Sequence, residues 1–205
     1  MLLAAWDTRV AAPAPATILP DGCQDLLFTA YPGLAPRWEI TRLDDAAYRI
    51  EMPRGAYFKG FRLRAGVKVD ARRLCASMQG LPPDHAGITD RLHSFTTLNG
   101  LVEETLSALQ EQACAGGNVA KAAARLGVQP RRIQRVMAAH TGRTAAKWLA
   151  LARVRAAARA LVAGGNLAGV AHDCGYADQP HMHRAFRQWL GTTPKNTPKL
   201  LLGYG

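Results

Sequence analysis

The stretch Cys174–Pro194, "CGYADQPHMHRAFRQWLGTTP", mixes two kinds of side chain. Gln179, His181, His183, Arg184, Arg187 and Gln188 can donate or accept hydrogen bonds, whereas Met182, Ala185, Phe186, Trp189 and Leu190 are apolar. On a helix the first set would form a wet face and the second a buried one. Arginine can make two parallel hydrogen bonds to the edge of a guanine, and glutamine can do the same with adenine. "PRRIQRVMAAHTG", from Pro130 to Gly142, repeats the design with Arg131, Arg132, Gln134 and Arg135 against Val136 and Met137. A solvated surface helix would show the same amphipathic pattern, so the spacing alone leaves base recognition and plain solvation both open.

Other reactive residues point less far. His181 and His183, with His172 and Cys174 nearby in sequence, suggest a metal, but His-x-His on a helix aims its rings about 200° apart, and no metal or cofactor is expected. Cys23 in "PDGCQDL" could be a reactive thiol, yet only Cys75 accompanies it in the first half, so a structural cysteine is the better reading. Cys23, Cys75, Cys114 and Cys174 form no Cys-x-x-Cys pair, which fits reduced thiols in the cytoplasm. No nucleophile–base set, phosphate loop or pair of carboxylates stands out, so the chain is not expected to be an enzyme. Trp6, Trp38, Tyr57 and Phe61 could line a ligand cavity but more often form the core of a small sheet.

Charge separates the chain into two parts. Its 205 residues carry a formal +11, yet residues 115–205 hold 14 Lys and Arg against Asp173 and Asp178 alone, while residues 1–114 hold 12 against 13 acids. A basic module joined to a near-neutral one implies a polyanion partner, with nucleic acid ahead of a membrane surface. The 48% apolar fraction supports a packed core. No apolar run reaches the ~20 residues of a membrane span. "MLLAAWDTRV" lacks a basic leader, so a secretory signal is not expected.

The first part reads as strands. "ATILP", "DLLFTA", "RWEIT", "YRIEM" and "AYFKGFRLRAG" are short, β-branched or aromatic, and bounded by Pro, Gly and Asp. Period two puts Tyr57, Lys59, Phe61 and Leu63 on one side and Phe58, Gly60, Arg62 and Arg64 on the other. A small antiparallel sheet or half-barrel follows. Leu98, Leu101, Val102, Leu106 and Leu109 then fall near helical spacing, with a stop and short hinge at "AGG". This stripe is expected to pack on its own sheet, with a dimer interface as the alternative.

From Gly117 onward the pattern is helical, and it repeats. Val119–Gly127 then Pro130–Gly142 parallels Leu167–Gly175 then Gln179–Gly191, with Arg135 and Arg184 equivalent and 49 residues apart. A small residue, Ala123 or Ala171, stands four places before a turn glycine, Gly127 or Gly175; small side chains allow close helix crossing and glycine allows a left-handed turn. These are two helix-turn-helix units in tandem. The twenty residues 144–163 between them make a helix of ~30 Å at ~1.5 Å per residue, close to the ~34 Å of one DNA turn.

With "RRIQRVMAAHTG" and "ARVRAAARALVAGGNLAGVAHDCGYADQPHMHRAFRQWLGTTP", the segment Asn118–Pro194 resembles the DNA-binding domain of AraC/XylS-type transcription regulators. Gly175, Tyr176, Phe186, Gly191, Thr193 and Pro194 fall at that family's signature places. Met137 and Met182 replace usual aromatics, Thr197 and Pro198 replace a usual Tyr-Arg, and Pro180 stands where the family often has a polar, base-facing residue. "ILPDGCQDLLF" and "GFRLRAG" are similar to pieces of the family's short sensor-like domains, which commonly bind effectors or dimerise through cupin-like β folds.

The resemblance implies an α+β domain over residues 1–95 (small antiparallel β, with a cupin-like form as one option), a helical linker at 96–116, an all-α domain with two helix-turn-helix units at 117–198, and a tail at 199–205. It implies a bacterial, cytoplasmic, sequence-specific regulator that binds two successive major-groove segments of double-stranded DNA and is controlled through its N-terminal domain. Arg131, Arg132, Gln134 and Arg135 are carried over as DNA contacts of the first unit, and Gln179, His183, Arg184 and Arg187 as those of the second. Thr144, Lys147 and Asn166, near helix starts, are phosphate candidates that could equally be caps or solvated charges. Implied partners are DNA, RNA polymerase, a small-molecule effector and a second copy of the chain, with no membrane. The rival readings are a thiol-based DNA-repair or transfer enzyme using Cys23 and a ligand-independent architectural DNA binder.

Overall fold

The computed structural model describes residues 1–197 and divides the chain into two compact units. The first comprises residues 1–18, 23–43 and 49–99; the second takes in 19–22, 44–48 and the described residues from 100 on. The expected tail at 199–205, and Pro198, lie outside the described residues.

The first unit is mainly antiparallel sheet. Its strands are β1 (Leu2–Arg9), β2 (Ala14–Ile18), β3 (Asp25–Ala30), β4 (Arg37–Ile40), β5 (Tyr48–Met52), β6 (Tyr57–Leu63) and β7 (Lys68–Val69). Helices α1 (Ala71–Met78) and α2 (Ile88–Phe95) follow, then β8 (Thr96–Thr97). A four-stranded sheet runs in the order β1-β6-β3-β4; β2 pairs with β5 and β7 with β8.

The five strands expected from the sequence are all present. The period-two reading of β6 also holds, because each face serves a different cluster. Phe61 and Leu63 pack with Leu26, Phe28 and Trp38 and with Leu74, Met78, Ile88 and Leu92 from the two helices. Trp38 meets Phe28 edge-on at 5.1 Å and donates its indole N–H to the Leu81 carbonyl at 3.0 Å. On the other face Phe58 joins Val10 and Ala56, with Trp6, Leu27, Tyr31 and Met52 alongside. There Trp6 lies over Gly60, its cross-strand partner, where any side chain would collide with the indole. Arg62 and Asp25, also directly opposite, form a two-bond ion pair at 3.1 and 3.2 Å, which pins the β3–β6 register.

Five elements of this unit escaped the sequence reading: β1, β7, α1, α2 and β8. Each helix has eight residues and buries two apolar side chains, Leu74 and Met78 in one, Ile88 and Leu92 in the other, too few to show a period.

The second unit holds α3 (Gly100–Cys114), α4 (Val119–Arg125), α5 (Pro130–Thr141), α6 (Ala145–Val162), α7 (Leu167–Asp173), α8 (Gln179–Leu190) and a 3₁₀ turn at Pro194–Asn196. The stripe expected to cover the sheet belongs here instead: α3 packs on α6, α4 and α5, burying Val102, Ala108, Leu109 and Ala113. Leu98 alone stays with the sheet cluster. The "AGG" segment ends α3 as expected, and two hydrogen bonds meet Gly117 there. Gly117 N–H donates to the Gln112 carbonyl at 2.8 Å, and Arg153 donates to the Gly117 carbonyl.

The repeat has a common physical basis. After α4, Val128 N–H donates to the Ala123 carbonyl (3.1 Å) and Gly127 N–H to that of Ala124 (3.1 Å). After α7, Tyr176 N–H donates to Ala171 (2.9 Å) and Gly175 N–H to His172 (2.9 Å). Both are Schellman turns, which need a left-handed residue, and Gly127 and Gly175 have φ of 64° and 72°. The alanine four places before each glycine is thus the acceptor of the long turn bond. Gly175 carries a second constraint: a Cβ there would lie 2.8 Å from Gly116 Cα, whereas one at Gly127 would meet nothing within 4 Å. Gly127→Ala is therefore expected to cost about 1–2 kcal/mol from backbone strain alone, and Gly175→Ala clearly more. Urea unfolding of the two variants measures the difference; equal costs would show that the Gly116 contact adds nothing.

Candidate nucleic-acid interface

The second helices of the two helix-turn-helix units, α5 and α8, are built alike. Ile133 and Met137 in α5 are wholly buried, and so are their equivalents Met182 and Phe186 in α8. Each pair, four residues apart, fixes which face turns inward. Both methionines thus fill core positions, as an aromatic there would. Asp178 caps α8 by accepting from His181 N–H at 2.6 Å, and both helices have proline in the first turn. Pro180 starts its helix as expected. Both end at left-handed glycines, Gly142 and Gly191.

With the inner faces fixed, the outer ones follow. Arg131, Arg132, Gln134 and Arg135 are all exposed on α5. On α8, Gln179, Arg184 and Arg187 are exposed and His183 is half-buried. Arg131, Gln134, Arg135 and Ala138 make one i, i+3, i+4, i+7 stripe; Pro180, His183, Arg184 and Arg187 make the other. His181 has local partners instead. Its Nδ1 accepts from Ala177 N–H at 3.4 Å, and its ring stands edge-on to Tyr176 at 5.3 Å. Tyr176 itself is buried, and desolvation raises its phenol pKa.

Between the units, α6 spans 18 residues, or ~27 Å at ~1.5 Å per residue. It is two residues shorter than expected because Thr144 and Ala163 are its caps. Its inner side buries Trp148, Leu149, Leu151, Val154 and Ala156–Ala158. The three phosphate candidates each have a partner here. Thr144 Oγ1 accepts from Lys147 N–H at 3.3 Å and Asn166 Oδ1 from Gly169 N–H at 2.8 Å, so both cap helices. The Lys147 ammonium lies 2.8 Å from the Asp45 carboxylate.

Asp45 was not found by sequence reasoning, nor was Arg143, which also binds it. Burial lowers the Arg143 pKa, and the neighbouring Asp44 charge opposes that shift. The segments 19–22 and 44–48 belong to this unit although they come from the strand-rich half of the chain. Arg155 donates to the Asp21 carbonyl at 2.5 Å, Gly22 sits against the Trp148 ring, and Ala47 N–H donates to the Trp189 carbonyl at 3.1 Å. No sequence signal marks these contacts.

Residues 122–199 match the family described as "Helix-turn-helix domain". No curated protein matches the chain. Among solved structures, the C-terminal domain of AraT, a response regulator from Geobacillus stearothermophilus, is 21% identical over 48% of this chain and 84% of its own, with a TM-score of 0.44. A DNA-binding transcriptional dual regulator from Escherichia coli K-12 is 18% identical over 52% and 93%, TM-score 0.42. ToxT from Vibrio cholerae O395 is 7% identical over 95% and 90%, TM-score 0.45.

Residues 122–199 thus form a helix-turn-helix domain. Among the described residues, no helix is long and apolar enough to cross a membrane.

Proposed function

We propose that α5 and α8 enter successive major-groove segments of one DNA duplex and that this protein regulates transcription at a specific operator. The observation that carries the reading is the duplication itself. Two units with the same turn chemistry and the same buried pair each present an arginine-bearing outer face, and an α6 of ~27 Å joins them, against the ~34 Å of one DNA turn. Arg135, Gln134 and Arg131 read bases in the first segment, with Arg132 on phosphate. Gln179, His183 and Arg184 face the second, with Arg187 on phosphate. The N–H groups at the starts of α6 and α7, beside Thr144 and Asn166, favour phosphate in addition to being capped. The strand-rich unit supplies control, through an effector or a second copy of the chain, and RNA polymerase is the partner through which DNA binding acts.

The test is fluorescence anisotropy with DNA from upstream of the protein's own gene and a scrambled control, over a salt series. A preference of ~100-fold or more with a steep salt slope is expected. Equal affinity for both DNAs would favour the architectural reading. No binding at low salt would end the proposal.

A further inference from the structure

We propose that the acidic loop between β4 and β5 acts as an internal stand-in for DNA phosphate, with Asp45 competing for the cations at the start of α6. This rests on the DNA-binding reading above and adds a built-in restraint to it.

The charge distribution makes the contact unusual. From residue 115 on, the chain has only two acids of its own, and Asp178 is already committed to capping α8. Yet a carboxylate sits at the N-terminus of α6, brought there by a segment about a hundred residues upstream. One Asp45 oxygen takes the Arg143 guanidinium and the other takes the Lys147 ammonium at 2.8 Å. A two-oxygen anion between two cations at the positive end of an 18-residue helix is what a DNA phosphate would offer the same groups.

Three features suit the site to competition. Arg143 follows directly on Gly142, the end of α5, so a phosphate beside it would flank the groove that α5 occupies. Arg143 is held in place, because Thr141 Oγ1 accepts its N–H at 3.2 Å and also accepts from the Trp148 indole at 2.9 Å. The carboxylate is held more loosely: Asp45 and Lys147 are each about half exposed, at 48% and 52%. The Asp45–Lys147 half is therefore weak and salt-sensitive and open to displacement by a phosphate, whereas the Arg143 side chain is only 15% exposed. The same loop also touches the second helix-turn-helix, through Ala47 N–H to the Trp189 carbonyl and through Ala47 Cβ, 3.4 Å from where a Gly191 side chain would begin. The loop thus reaches the end of each second helix, through Asp45 at Arg143 and through Ala47 at Trp189 and Gly191.

The test compares full-length wild type with Asp45→Asn, and with Asp84→Asn, which removes an equal charge at an exposed site elsewhere. Anisotropy is read on the upstream DNA across a KCl series, with thermal unfolding to show that each variant is folded. Asp45→Asn should bind about fivefold more tightly at low salt, the scale of an exposed ion pair. Its log–log salt slope should steepen by about one to two, one for each cation freed to meet a phosphate. Lys147→Gln should change little in wild type but cancel much of the gain in the Asp45→Asn background. Unchanged or weaker binding by folded Asp45→Asn overturns the inference, as does an equal gain in Asp84→Asn. Wild-type binding is scored separately: if no protein binds DNA at low salt, the DNA-binding reading itself has failed.

Discussion

Phe186→Ala is expected to cost about 3–5 kcal/mol, the top of the range for truncating a core side chain. The ring is wholly buried and is the largest fully enclosed side chain in the described residues. It sits on the inner face of α8, one turn from the equally buried Met182, where α8 packs on α6 and α7. The lost contacts and the cavity left behind both count against the variant. For a unit of about a hundred residues, a loss of this size lowers Tm by at least about 12 °C. Circular dichroism at 222 nm during heating measures it. A fall of only 2–3 °C would mean that the site can collapse, and that α8 does not depend on this ring for its position. Met137→Ala, the equivalent change in α5, should follow at about 2–5 kcal/mol.

The second large effect concerns recognition. Arg135→Ala leaves the fold intact, because the side chain is exposed while Ile133 and Met137 beside it anchor the helix. If Arg135 makes a two-bond contact to a guanine, its loss should cost about 1–3 kcal/mol, or roughly 5- to 150-fold, on the operator. The scrambled duplex should lose far less, and the salt slope should barely move. A uniform loss on both DNAs, with the slope reduced by about one, would reassign Arg135 to phosphate. Arg184→Ala offers the comparison within the same molecule. If the second unit mainly anchors the backbone, its effect should be smaller and less dependent on sequence.

The same residues mark where sequence reasoning reached and where it stopped. The Ala–Gly spacing of the two units was legible because a Schellman turn is local. Its glycine and its acceptor carbonyl lie within six residues, and only glycine adopts the left-handed angle at little cost. The inner face of α8 was legible for a similar reason, since Met182, Phe186, Trp189 and Leu190 recur at helical spacing and are all buried; in α5 the pattern pointed to Val136 and Met137, whereas the structure buries Ile133 with Met137 and leaves Val136 half-buried. Five strands of the first unit were legible through β-branched and aromatic content between Pro, Gly and Asp, and β6 also through alternation. By contrast, α1 and α2 are short and give only two buried apolar residues each. In the α3 segment the stripe showed a buried face but not what covers it, and the partner proved to be α6 with α4 and α5.

By itself, then, the sequence determined the classes of element, the tandem helix-turn-helix repeat and the concentration of positive charge in the C-terminal part. All three are set by short-range backbone preference or by composition. Only the tertiary structure decided which surfaces meet. It placed Gly116 against the Gly175 turn, seated Gly22 on Trp148, and set Asp45 between Arg143 and Lys147. Each of those contacts joins residues far apart in the chain, and their pairing depends on the packed arrangement of the helices, which no local pattern of residues encodes.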